Sequence, residues 1–220
     1  MSELLELERR IETFKAGKEK CGLLFDVDGT LYRQDILRIL MLVRMLKALV
    51  RNPFKLYRTI KIISVYRKEM ELLRSKNGAS PEGQIANTIR ATGYSGDVVK
   101  ECIDFWFKQE PLKYMKLCLR KNMIKLIKDR EKAPMLLGVY SDYPAADKLK
   151  ELGVYQCFNT IVCSQDEDVK ALKPSPKGFM IAAERMGLRP DQVLYIGDRY
   201  EVDAVGARNA GMQFLIVSGK

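Results

Sequence analysis

Residues 21–25 form a short, unbroken apolar run that ends on carboxylates and a glycine, which predicts a buried strand with chemistry at its C-terminal end. Similar runs recur at 135–140, 160–163, 193–196 and 213–217. Between them the apolar period lengthens to that of helices, at about 113–130, 144–152, 176–186 and 202–210. Gly153, Gly187 and Gly211 stand where helix C-caps belong. Strands alternating with helices predict a parallel sheet covered on both faces.

The first half of the chain has a different texture. Leu4, Leu7, Ile11 and Phe14 recur at helical spacing, so residues 3–16 are expected to form an amphipathic helix ahead of the main fold. From 33 to 112 only helical patterns appear. One covers 36–51, and a second runs over 53–74 behind Asn52 as N-cap and Pro53 at the first helical position. A third is opened by Ser80-Pro81 and stopped by Gly93; a fourth runs from Ser95 to about Gln109 and carries Phe105, Trp106 and Phe107. The expected architecture is therefore α/β: a Rossmann-like parallel sheet core over 21–32 and 113–220, an all-helical segment over 33–112 inserted after the first strand, and an N-terminal helix within 1–20.

With 220 residues, 47% of them hydrophobic, the chain is long enough for one domain plus an insert. The absence of histidine excludes His-based nucleophilic triads and His-ligated zinc, leaving carboxylates, hydroxyls, lysines and thiols to carry any chemistry. Five cysteines without a C-x-x-C pair fit a reduced, cytoplasmic setting, and neither a secretory signal nor a membrane span is expected.

The candidate chemistry gathers at strand ends. Asp26-Val27-Asp28-Gly29-Thr30 directly follows the first strand, and in extended geometry two residues two apart point to one side. Ser141 and Asp142 end the second strand, and Gly197-Asp198 ends the fourth, with Asp203 five residues on. Lys173-Pro174 lies in the loop before the helix preceding that strand. All converge on the carboxyl edge of the sheet, where open α/β sheets bind ligands.

In this order and spacing the motifs resemble those of the haloacid dehalogenase superfamily, specifically its phosphatase branch with a helical cap inserted after the first motif, of the phosphoglycolate phosphatase type. The resemblance covers residues 21–220. It implies Asp26 as the nucleophile that accepts a phosphoryl group and Asp28 as the acid and base for leaving group and water. It further implies Gly29, Thr30, Ser141, Asp142 and Lys173 at the phosphate, with no catalytic role for Asp142 or Arg199. Mg²⁺ is the implied cofactor, held by Asp26, Asp198 and the Asp28 carbonyl with Asp203 in support, and the implied substrate is a small phosphomonoester. A phosphomutase keeps the same motifs, so that alternative stays open. So does a membrane-surface-binding protein on a phosphatase scaffold.

Charge bears on partners. Lys and Arg outnumber Asp and Glu by 38 to 28, yet residues 36–68 hold nine basic residues and no acidic one. Arg44, Lys47 and Arg51 fall in one stripe of an otherwise apolar helix. Such a helix is expected at the centre of the inserted bundle; a subunit interface and peripheral contact with an anionic membrane are the alternatives. Nucleic acid is disfavoured, because the stripe lacks interleaved aromatic residues. Oligomeric state is left open.

Overall fold

Apolar runs without polar alternation must be buried on both faces, and all four residues of β1 (Gly22–Phe25) are. The structure, a computed structural model of the chain, describes residues 3–49, 52–75, 83–130 and 134–217. Strand β1 is joined by β2 (Leu136–Ser141), β3 (Thr160–Cys163), β4 (Val193–Gly197) and β5 (Gln213–Ile216) in one parallel sheet of order β3-β2-β1-β4-β5. Leu23 pairs with Leu137 on one side and Leu194 on the other, so β1 is central. The helices are α1 (Glu3–Lys15), α2 (Gln34–Leu49), α3 (Pro53–Arg74), α4 (Gly83–Thr92), α5 (Gly96–Ile103), α6 (Lys121–Arg130), α7 (Ala146–Glu151), α8 (Lys177–Arg185) and α9 (Val205–Asn209).

The period-two alternation of the strands sorts the core into two layers. Leu23, Phe25, Leu137, Val139, Leu194 and Ile196 face a cluster completed by Leu7, Ile11 and Phe14 of α1, by α6 and by Leu149 of α7. Leu24, Tyr140, Val162 and Tyr195 face the other, completed by Phe179, Ala182 and Ala183 of α8 and Ala207 of α9. Gly93, Gly153, Gly187 and Gly211 all have positive φ at helix ends, the backbone state that a C-cap requires.

Helices α2 to α5 lie between β1 and β2 in sequence. Asn52 accepts a 2.9 Å hydrogen bond from the Lys55 N–H and caps α3. Ser80-Pro81, expected to open the third helix, lie outside the described residues, and α4 covers Gly83–Thr92. The fourth helix widens along its length: α5 passes into a π-helical stretch at Asp104–Gln109.

Two expectations are corrected. The helix anticipated over 113–130 is two pieces, a 3-10 turn at Pro111–Leu117 and α6. They are separated because the Arg33 N–H donates to Cys118 and the Arg120 N–H to Leu31, pinning 118–120 beside the chain leaving β1. Nor is α2 the buried centre of the insertion. Leu37 is buried, and Ile36, Leu40 and Met41 pack on the sheet's core, but Ile39, Leu42, Val43 and Leu46 are exposed. Its basic stripe is not uniform either: Arg44 pairs with Glu110 at 2.8 Å and lies over the Trp106 ring, Lys47 is exposed, and Arg51 lies outside the described residues.

Candidate active site

The order in which strands are added to the sheet reverses between β1 and β4, and at such a point the loops diverge and leave a crevice at the carboxyl ends of the strands. Asp26 follows β1 and Asp198 follows β4, so the two carboxylates flank that crevice. Gly29 lies between them with φ of 97°, and a Cβ there would come within 2.1 Å of Asp198 Oδ2, so only glycine lets the loop approach.

Lys173 reaches Asp26 from the loop before α8. Its ammonium donates to Asp26 Oδ1 at 2.6 Å, to Asp203 Oδ1 at 2.8 Å and to the Tyr195 hydroxyl at 3.0 Å. Three N–H donors thus meet three acceptors in a fully buried setting. Thr30 donates to Asp26 Oδ2 at 3.2 Å. Asp203 is saturated: besides Lys173, Tyr195 donates to Oδ1, and the backbone N–H groups of Asp198 and Arg199 donate to Oδ2. It therefore braces the Asp198 turn. Asp142 is equally engaged, its Oδ1 accepting from Ser164 and the Lys173 N–H and its Oδ2 from Arg74 at 2.6 Å. That makes it a bracket for the Lys173 loop and leaves Ser141, buried at the end of β2, as the hydroxyl beside the crevice.

Among the described residues, the ammonium groups of Lys173 and Lys148 are the side-chain cations paired with the carboxylates Asp26, Asp28 and Asp203, while the charge of Arg199 acts on Asp198. Burial pushes the Asp26 carboxyl up to about 8; Lys173 opposes this, and the charges of Asp203, Asp28 and Asp198 reinforce it. Asp198 rises to about 6, through burial first and then the charge of Asp203. For Asp203, burial is outweighed by Lys173 and its other donors, and the carboxyl lies below the usual range. Oxygens of Asp26, Asp198 and Asp203 all lie within 4.8 Å of one another, and among the described residues no side chain donates to the Asp198 carboxylate. An excess of hard oxygen ligands over cations fits a divalent ion such as Mg²⁺.

Sequence reasoning missed four participants. The Lys148 ammonium on α7 and the Tyr32 hydroxyl both donate to Asp28 Oδ1; burial works against ionisation, but these contacts hold the carboxyl below its ordinary range. Tyr195 bridges Lys173 and Asp203, and Arg74 of α3 reaches Asp142. None carries a local signal: Lys148 looks like any helical lysine and Tyr195 like any strand residue. A separate cavity of about 730 Å³ lies within the insertion, lined by residues such as Arg44, Leu56, Arg58 and Trp106, and includes none of the residues above.

The family model for haloacid dehalogenase-like hydrolases matches residues 22–211. Glyceraldehyde 3-phosphate phosphatase of Methanopyrus kandleri is 26% identical over 87% of this chain and 81% of its own. Phosphoglycolate phosphatase of Escherichia coli K12 is 33% identical over a shorter stretch, 32% of this chain and 29% of its own. Among solved structures, the HAD-hydrolase YfnB of Bacillus subtilis, bound to magnesium, superposes with a TM-score of 0.65 at 18% identity, over 91% of this chain and 89% of that one. The 2-haloacid dehalogenase of Pseudomonas syringae gives 0.61 at 18% identity, over 90% and 86%, and shares the fold. With the family match spanning the Asp26 loop, Lys173 and Asp198, this chain belongs to the haloacid dehalogenase-like hydrolases, in their phosphatase branch.

Proposed function

We propose that this enzyme hydrolyses a small phosphomonoester through a phosphorylated Asp26. One observation carries the reading: at the sheet's switch point the Asp26 carboxylate is fixed between Lys173 and Thr30, with Asp198 in the same oxygen cluster. A carboxylate held this way can attack phosphorus in line with the leaving oxygen, forming an acyl phosphate as the ester P–O bond breaks. Lys173 offsets the repulsion between nucleophile and phosphate, and Ser141 offers a hydroxyl to a phosphoryl oxygen. Asp28 gives a proton to the leaving oxygen, then takes one from the water that attacks the acyl phosphate and frees Asp26. Lys148 and Tyr32 keep Asp28 ionised in the substrate-free site, and an incoming phosphate that draws Lys148 away raises its proton affinity.

Mg²⁺ would be held by Asp26, Asp198 and the Asp28 carbonyl, with Asp203 as brace. Bound there, it supplies neutralisation of phosphoryl charge. The helical insertion, over 33–112, serves as the cap that selects the substrate. The named substrates of the relatives, glyceraldehyde 3-phosphate and phosphoglycolate, are short phosphomonoesters, which supports that class for this chain. Cys21, Cys118 and Cys163 are buried and form no disulfide among the described residues, which supports a reducing cytoplasmic compartment.

The test is phosphate release from a panel of short phosphomonoesters, before and after EDTA and Mg²⁺ replenishment. Activity should vanish with EDTA and return with Mg²⁺, and Asp26→Asn should lower kcat by about a thousandfold or more. Asp26→Asn retaining about a tenth of the wild-type rate, with deamidation excluded, would refute the nucleophile.

A further inference from the structure

Twelve large apolar side chains are exposed among the described residues, and seven of them lie on α2 and the first turns of α3: Ile39, Leu42, Val43, Leu46, Phe54, Tyr57 and Ile60. Phe54 is 88% exposed and Leu42 57%, on two helices that pack against each other. At about 100° per residue, Leu42, Leu46, Ile39 and Val43 form a stripe about 100° wide. Arg38 flanks it on one side and Lys47 on the other. Isolated exposed apolar residues need no explanation, but a stripe of this kind marks an interaction face.

The charges decide what that face fits. Residues 36–68 carry nine basic side chains and no acidic one. Arg44 is committed to Glu110, and Arg67 lies over the Phe107 ring. Lys47 and Lys55, both exposed, have no ion-pair partner among the described residues, whereas Arg58 is only partly exposed and lines the cavity within the insertion. Asp35, at the start of α2, is paired with Arg33. A two-fold contact with a second copy would set this basic surface against itself, opposing like charges around the apolar stripe. An anionic bilayer meets both properties at once, taking apolar side chains into its interface and basic ones at its headgroups. Tyr57 is a residue type that settles at that depth, and Phe54 one that interfacial helices carry on their apolar face.

We infer that the α2–α3 face is a docking surface for an anionic lipid bilayer. No helix among the described residues is long and apolar enough to cross a membrane, so the contact is peripheral. The interaction combines a charge term that salt screens with an apolar term that it does not.

Cosedimentation with vesicles tests it, using the full chain. Vesicles of phosphatidylserine and phosphatidylcholine should pellet the protein at about 50 mM salt and release most of it at about 500 mM, whereas phosphatidylcholine alone should not retain it. Leu42→Ser with Phe54→Ser, and separately Lys47→Glu with Lys55→Glu, should each weaken partitioning about tenfold or more, with thermal melts unchanged. Wild-type protein left in the supernatant with the anionic vesicles at low salt overturns the inference without recourse to any variant. So does binding that survives both double variants. A dimer in light scattering that Leu42→Ser with Phe54→Ser dissolves would assign the face to a second copy instead.

Discussion

Lys173 shows how much one side chain organises. Its ammonium has no spare donor, so it holds Asp26 and Asp203 at fixed distance and orientation while Tyr195 closes the third position. The raised Asp26 and Asp198 carboxyls follow from burial first and from the neighbouring carboxylate charges second, and they give a signed prediction. Below its raised pKa a carboxyl carries a proton, and that proton competes with a metal ion for the same oxygen. Mg²⁺ affinity should therefore rise between pH 6 and 8, by up to about tenfold per pH unit for each proton displaced, with proton release on binding. Calorimetric titration of the unloaded protein in buffers of different ionisation enthalpy measures both; an affinity flat across that range would contradict the site's electrostatics. At this scale the sequence was informative wherever residues sit in one local motif. Asp26, Asp28, Gly29 and Thr30 lie within five positions and stand out from the sequence as candidates. Lys148 stands 120 residues from the Asp28 it contacts, and no periodicity points from one to the other.

Among the elements, α8 is held against the sheet by the smallness of its residues. A Cβ at Gly178 would lie 2.2 Å from the Tyr140 ring, and one at Gly206 of α9 would lie 2.4 Å from Phe179. Phe179 in turn packs edge-on against both Tyr140 and Tyr195, with ring centroids 4.8 Å apart in each pair. Gly178→Ala should therefore push α8 off β2 and cost about 1–3 kcal/mol. It should also lower kcat, because the Lys173 loop precedes α8. Urea unfolding tests the first part, and a variant as stable as the wild type would show that the layer can give. Helix boundaries were legible where capping chemistry is local, as at Asn52-Pro53. They were not where a tertiary contact interrupts a good helical pattern: the 118–120 break is imposed by backbone bonds to Leu31 and Arg33.

For the whole molecule, the relation between insertion and core matters most. Arg74 of α3, largely buried, donates to Asp142 at 2.6 Å beside the candidate phosphate hydroxyl of Ser141, and Met70 and Leu73 of the same helix pack with Leu172. The insertion is thereby tied to the loop that carries Lys173. Arg74→Met should keep the apolar stem but leave one Asp142 oxygen without its charged partner, at a cost of about 1.5–3 kcal/mol in stability. KM should rise more than kcat falls, since the carboxylates proposed to act on the phosphate are untouched. Thermal unfolding together with KM on the best short phosphomonoester measures this, and wild-type values for both would mean that the tie is not formed in solution.

Sequence alone determined the parallel α/β architecture, the helical insertion after the first strand and the motif residues at the sheet's carboxyl edge. Each of these is written in short-range patterns: the apolar period of strand or helix, a capping glycine, a cluster of carboxylates at a strand end. Only the tertiary structure decided that Asp142 braces a loop, that Lys148 and Tyr32 govern Asp28, and that α2 turns an apolar face outward. A composition rich in Leu, Ile and Met says that a helix has apolar faces. How many are covered depends on what folds against it, and here the core takes the side bearing Leu37 while no described element covers the opposite side.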